Sequence, residues 1–153
     1  MIKFKKSAHS ETIVTEVVCP NDTNPMGILQ GGRLVQWMDI ASAVCAQNHA
    51  EKICVTASID SVKFKMPAKV GDIITIKAKV TRVFNTSMEI HVVAWAKKIV
   101  SQKAYLINEA YFTFVALDDN AKATHVPQIK PSTLQDKKLF LSANTRRKSR
   151  LKF

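Results

Sequence analysis

One carboxylate, Asp39, stands in the run Gly31-Gly32-Arg33-Leu34-Val35-Gln36-Trp37-Met38-Asp39-Ile40-Ala41-Ser42-Ala43-Val44-Cys45-Ala46, which is helical in pattern and apolar on almost every side. A helix apolar all round is a buried helix. An ionised carboxylate there is costly unless it is paired or put to use. Helix position alone leaves both readings open, a structural ion pair or a reactive group. Gly31 and Gly32 mark a helix start that a ligand can approach closely. Ahead of them lies the polar segment Asn21-Asp22-Thr23-Asn24-Pro25. Asn24 has its own bland reading, a loop amide bonded to its own backbone before a proline. Together these residues suggest a site.

Other chemistry has less support. The four histidines (His9, His49, His91, His125) form no HxxxH or HxH pair, so no metal site is expected. The three cysteines (Cys19, Cys45, Cys54) lack metal-like spacing and read as buried thiols of a reducing, cytoplasmic compartment. No apolar h-region follows the Lys-bearing first ten residues, so no secretory signal is expected. No apolar run approaches the roughly 20 residues needed to span a bilayer. The length of 153 residues suits one domain with a real core. The net charge of +11 is uneven, because residues 137–153 hold seven cations and no acid, leaving +4 for residues 1–136. That composition predicts a solvated, poorly ordered arm over residues 131–153. A sharper reading makes it an electrostatic arm for an anion. Its one aromatic, Phe153, is too few for single-strand stacking, and nucleic acid is not expected as a partner.

The elements that must position Asn24 and Asp39 follow from periodicity. Glu11 to Val18 suits a first strand, and Asn21 to Gln30 is loop with Pro25 and Gly27 as breakers. Gly31 to about His49 is the single long helix. Gln36, Asp39 and Ser42 share one stripe of it, which Ala43 and Ala46 continue. Four strands follow: Ile53 to Lys65, Ile74 to Thr81, Met88 to Lys97, and Tyr105 to Leu117. In the middle two, apolar residues alternate with polar ones, which predicts one wet face. The order predicts an α+β domain over residues 1–130, a meander-like antiparallel sheet with one helix packed on it. The helix is too apolar for one sheet face to cover. The sheet must curl round it, or a second subunit must help.

This order resembles the hotdog fold, and more narrowly the YciA-like acyl-CoA thioesterases, relatives of the cytosolic acyl-CoA hydrolases. The matching stretches are Asn21-Asp22-Thr23-Asn24-Pro25-Met26-Gly27, Gln30-Gly31-Gly32 and Trp37-Met38-Asp39, then Val55-Thr56, Phe64, Pro67, Val70-Gly71-Asp72, Thr86-Ser87-Met88, Trp95 with Lys97-Lys98, and Phe112 to Ala116. They cover about residues 11–128. Gln30 departs from the pattern, since many relatives carry an aromatic there, and this bears on the shape of the acyl pocket.

The resemblance implies an antiparallel sheet wrapped around one central helix, and hydrolysis of acyl-CoA to free fatty acid and coenzyme A without a cofactor. It implies Asp39 as general base or nucleophile, Asn24 contributed by the dimer partner, and Gly32 among the backbone amides that polarise the thioester carbonyl. Gly31, Arg82, Thr86, Ser87, Lys97 and Lys98 are the candidates for holding coenzyme A; Met38, Phe64 and Met66 are those for the acyl pocket. It also implies a homo-oligomer, a dimer at least and a hexamer by family habit, with no membrane insertion. Two other functions compete. A non-catalytic acyl-CoA sensor would have no need of Asp39. A hotdog dehydratase would want an acid–base histidine, and none lies between Asn24 and Asp39.

Overall fold

The apolar run forms the helix α1, Gly31–Ala50, which ends where Glu51 turns left-handed at φ 55° and donates its N–H to the Gln47 carbonyl at 2.8 Å. The computed structural model describes residues 3–152; Met1, Ile2 and Phe153, the aromatic of the basic tail, lie outside the described residues. Around α1 curls a five-stranded antiparallel sheet of β2 (Thr12–Val17), β3 (Ile53–Phe64), β4 (Ile73–Val83), β5 (Ser87–Lys97) and β6 (Ala104–Leu117). The inner sheet face (Ile74, Ile76, Ile90, Val92, Phe112, Phe114) packs against Leu34, Trp37, Met38, Ala41 and Cys45 of α1, and all are buried.

The order in space is β2-β4-β5-β6-β3, which corrects the expected meander. Only β4, β5 and β6 follow one another; β3 pairs with β6 at one edge and β2 with β4 at the other. The reason is the β3–β4 connection, which is too long for a tight hairpin and is tied elsewhere. Ala68 O accepts from Leu29 N at 2.8 Å, and Gly71 N donates to Val18 O at 2.9 Å. These bonds carry the chain across the helix end to the β2 edge. A small parallel pair, β1 (Phe4–Lys6) with β7 (Gln128–Lys130), was not expected from the sequence.

A second correction concerns the tail. Residues Leu134–Arg150 form a helix, α2, rather than a poorly ordered arm. Thr133 and Asp136 cap it reciprocally, with Asp136 N donating to Thr133 Oγ1 at 3.1 Å and Thr133 N donating to Asp136 Oδ2 at 3.1 Å. It lies on the outer sheet face, where Glu89 is 0% exposed. Arg146 Nη2 reaches Glu89 Oε1 at 2.7 Å, Arg150 Nη1 reaches Oε2 at 2.9 Å, and Thr81 Oγ1 donates to Oε1 at 2.6 Å. Burial pushes the Glu89 carboxyl up, but hydrogen bonds from Arg146, Thr81 and Arg150 outweigh it and hold the group below the usual carboxylate range. The guanidinium of Arg146 also stacks 4.0 Å over the Tyr111 ring. Part of the wet face expected for β5 is therefore the floor under α2.

Candidate functional site

The loop before α1 sets the helix start. Asp22 Oδ2 accepts from Cys19 N at 2.8 Å, Gln30 N donates to Asp22 O at 2.9 Å, and Arg33 Nε lies 3.3 Å from Asp22 Oδ1. Gln30 sits at the cap position, yet its side chain donates back to Thr23 O at 3.0 Å and caps nothing. The Asp22 carboxylate, likewise, takes up the Cys19 amide and the Arg33 side chain rather than an amide of the helix start. Among the described residues no side chain caps the first amides of α1, and that is where the helix dipole favours developing negative charge. The two glycines differ. A Cβ on Gly31 would stand 3.0 Å from the Phe64 ring, while a Cβ on Gly32 would meet nothing within 4 Å. Packing within the protomer is tight at 31, where the Phe64 ring would have to give by a few tenths of an ångström, and open at 32.

Asn24 combines both of its readings. Its Oδ1 accepts from Met26 N at 2.9 Å and from Ile28 N at 3.2 Å, so the carbonyl half holds the loop. Its Nδ2 has no hydrogen-bond partner among the described residues. The amide can therefore serve a ligand as a donor only.

Asp39 is half-buried in the protomer, which corrects the expectation of a carboxylate inside an all-round buried helix. One flank of α1 is open: Ile40 is 51% exposed and Val44 41%. Asp39 Oδ1 accepts from Thr56 Oγ1 of β3 at 2.7 Å. Sequence reading passed over Thr56 as a functional residue, because a threonine in a β-rich run reads as an ordinary strand former. Its quotation among the matching stretches was the available signal. Along α1, Asp39 lies about 12 Å from Gly31 at 1.5 Å per residue.

The acyl-pocket candidates separate. Phe64 and Met66 line a cleft of about 340 Å³ at the start of α1, together with Gly31, Leu34 and Ile107. Met38 is fully buried in the core and does not line it. The coenzyme A candidates separate too. Lys97 and Lys98 end β5, while Thr86 and Ser87 stand at its beginning, roughly 33 Å away at 3.3 Å per residue. Register places the Lys97 end beside the start of α1, through Ala94, Asn108 and Phe64. It places the Ser87 end beside Asp39, through Met88, Phe114 and Thr56. Arg82 is already engaged, since its Nη1 donates to Phe140 O at 2.9 Å and its guanidinium stacks 4.0 Å over the Phe140 ring. Lys98 Nζ lies 3.3 Å from Asp72 Oδ2.

The cysteines are free thiols, and Cys19 is exposed, unlike the buried Cys45 and Cys54. Burial pushes the Cys45 thiol up to about 12, which removes it as a nucleophile. No cluster of His, Cys, Asp or Glu that could hold a metal ion occurs among the described residues. No helix among them is long and apolar enough to cross a membrane.

The family model for the thioesterase superfamily matches residues 26–102. A solved apo-hexameric acyl-CoA thioesterase superimposes with a TM-score of 0.96 at 38% identity, over 99% of this chain and 97% of that one. The acyl-CoA hydrolase of Staphylococcus aureus, solved with butyryl coenzyme A, coenzyme A and coenzyme A disulfide, gives a TM-score of 0.90 at 37% identity over 96% and 92% of the two chains. The acetyl-coenzyme A thioesterase of Mus musculus is 36% identical over 149 residues, 94% of this chain and 26% of its own length. The chain thus spans about a quarter of the length of the first curated relatives it matches.

Proposed function

The chain belongs to the thioesterase superfamily, and from that membership we propose that it hydrolyses acyl-CoA thioesters to a free fatty acid and coenzyme A. The thioester oxygen lies at the open start of α1, where the Gly31 and Gly32 amides and the Asn24 Nδ2 donate to it as negative charge develops. Asp39 of the partner subunit either takes a proton from the attacking water or attacks the carbonyl itself to give a mixed anhydride. Thr56 holds that carboxylate in place through its 2.7 Å hydrogen bond. Net, the C–S bond breaks and a C–O bond to water forms; the proton that water gives up passes to the departing thiolate as the thiol, and the second stays on the carboxylic acid. No cofactor takes part. The cytoplasm is the proposed compartment, in line with its free thiols.

The observation that carries this reading is where the two halves of the site lie. Asp39 and the open amides are on one helix but about 12 Å apart, beside a surface that is apolar and uncovered. Ile40 and Val44 continue that surface from α1. Along the edge strand β3, Ile53, Val55 and Ile59 are 65%, 44% and 38% exposed. A long apolar edge strand calls for a partner. A second copy placed antiparallel brings one subunit's Asp39 to the other's helix start. It also joins the Thr86–Ser87 end of one subunit to the Lys97–Lys98 end of the other, around one coenzyme A. Three such dimers make the proposed hexamer, in line with the hexameric solved relative.

Thiol release from saturated acyl-CoAs of increasing chain length tests the reaction, and no release from any of them would overturn it. Subunit sharing is tested by mixing two dead variants. An Asn24→Ala subunit paired with an Asp39→Asn subunit rebuilds one intact site per heterodimer, so activity returns. No recovery in verified heterodimers would show that each site is built within one subunit.

A further inference from the structure

Asn108 is 0% exposed, and neither its Oδ1 nor its Nδ2 has a hydrogen-bond partner among the described residues. A polar atom left unpaired in the interior keeps its full desolvation penalty, and a buried orphan calls for an explanation. The other orphans, His49 Nδ1 and Thr113 Oγ1, are single atoms. Asn108 alone leaves both a donor and an acceptor unmet.

Its position ties it to the cleft at the start of α1. On β6 its register partners are Ala94 of β5 and Phe64 of β3. Residues directly opposite in an antiparallel pair share a face, with Cβ atoms about 4.5–5.5 Å apart. Phe64 lines the cleft and its ring lies against Gly31; Ile107, the chain neighbour of Asn108, lines it as well. The β5–β6 register slips between Ala94 and Trp95, so that Ile107 is an extra residue and two consecutive side chains, Ile107 and Asn108, are both buried. A bulge of this kind re-aims side chains beside functional sites. Asn108 therefore lies on the inner sheet face immediately behind the wall that Phe64 and Ile107 form. Phe64 is 59% exposed in the protomer, so its ring is not locked into the core.

Resting on the hydrolase reading above, we infer that Asn108 is a specificity-determining residue that hydrogen-bonds a hydroxyl group on the acyl chain, close to the thioester. A hydroxyl both donates and accepts, so it meets Oδ1 and Nδ2 together. A ketone oxygen meets only Nδ2, and a saturated chain meets neither. The oxygen belongs near the thioester because Phe64, the register partner of Asn108 on β3, has its ring against Gly31, at the helix start proposed to hold the carbonyl.

The test compares kcat/KM for butyryl-CoA, 3-oxobutyryl-CoA and 3-hydroxybutyryl-CoA in the wild type, Asn108→Leu and Asn108→Ala. The wild type should favour the hydroxyacyl substrate over butyryl-CoA by about tenfold or more, with the oxo substrate between them. In Asn108→Leu, which keeps the volume and removes both orphans, that ratio should fall to about one; Asn108→Ala gives the same reading should the leucine misfold. A wild-type ratio at or below one overturns the inference while leaving the hydrolase intact, and so does a preference that survives both substitutions. Absence of thiol release from all three substrates, in a wild type equally inactive on longer saturated chains, would instead remove the hydrolase reading, and this inference with it.

Discussion

The two helices lie on opposite faces of one sheet and treat their polar groups in opposite ways. On α2 the polar groups are matched: Thr133 and Asp136 cap its start, and Arg146 and Arg150 close on Glu89. On α1 they are left open: among the described residues no side chain caps the first amides, the Asn24 amide nitrogen is free, and Asp39 has a single hydroxyl partner. Both helices are anchored well enough to fold, so the open groups of α1 are not a defect of packing. Satisfied polar groups hold a fold, while unsatisfied ones at a surface are available for a substrate.

The largest effect that would sharpen this contrast is loss of chemistry without loss of fold. Asp39→Asn should lower kcat by about 10²–10⁴-fold, the usual cost of losing a general base. Its Tm should stay close to wild type, because the carboxylate is half-buried and its Thr56 partner is exposed to water. Near-normal turnover in the folded variant would place the chemistry elsewhere.

The opposite result is expected on the α2 side. Glu89→Ala leaves Arg146 and Arg150 on the sheet without their carboxylate, and breaking a buried pair in this way costs about 3 kcal/mol, or roughly 6–12 °C in Tm. Deleting residues 137–153 removes both arginines at once and strands Glu89, so the truncated chain should be destabilised at least as much. The composition alone had pointed to a solvated, poorly ordered arm. Acid should act through the same group. The folded Glu89 carboxyl lies below its ordinary 4.5, so its contribution is complete above that value and is lost as pH falls through the lower, folded one. Thermal melts of the wild type should show this loss below about pH 4.5 and those of Glu89→Ala should show less of it. Equal acid sensitivity of the two would assign the acid response to other carboxylates.

The sequence was legible where one residue and its near neighbours decide the outcome. The α1 span and the strands of the main sheet are written in local periodicity, and the candidate set of Asn24, Gly31, Gly32 and Asp39, still a proposal, in motif. It was not legible where two distant residues decide together. The sheet-facing side of α2 holds the buried Asp136 and Ala143 and the half-buried Arg146 and Arg150, and by composition it looks solvated. Its arginines meet the sheet because Glu89, 57 residues before Arg146, rises to meet them, and its start is held by Lys79, 2.9 Å from Asp136. In its own strand Glu89 alternates like any wet-face residue. Thr56 was obscured in the same way, since only the fold brings it to Asp39. Strand order was missed because the links that set it, Ala68 to Leu29 and Gly71 to Val18, are backbone bonds and carry no side-chain signature.

The smallest expected effect separates the two adjacent glycines. Gly31→Ala sets a Cβ 3.0 Å from the Phe64 ring, so the ring must shift and the cleft it lines changes shape. Gly32→Ala meets no atom of its own protomer. Alanine is also the better helix former, so this variant should be as stable as wild type or slightly more so. A thioester carbonyl at the start of α1 would nonetheless meet the new methyl group. Gly32→Ala should then lower kcat/KM by about tenfold, less than the 10²–10³ typical of losing an oxyanion donor outright, because the N–H itself remains. Unchanged kcat/KM in Gly32→Ala would mean that the carbonyl does not approach α1 at this glycine, and the contrast between open and satisfied helix starts would lose its catalytic meaning.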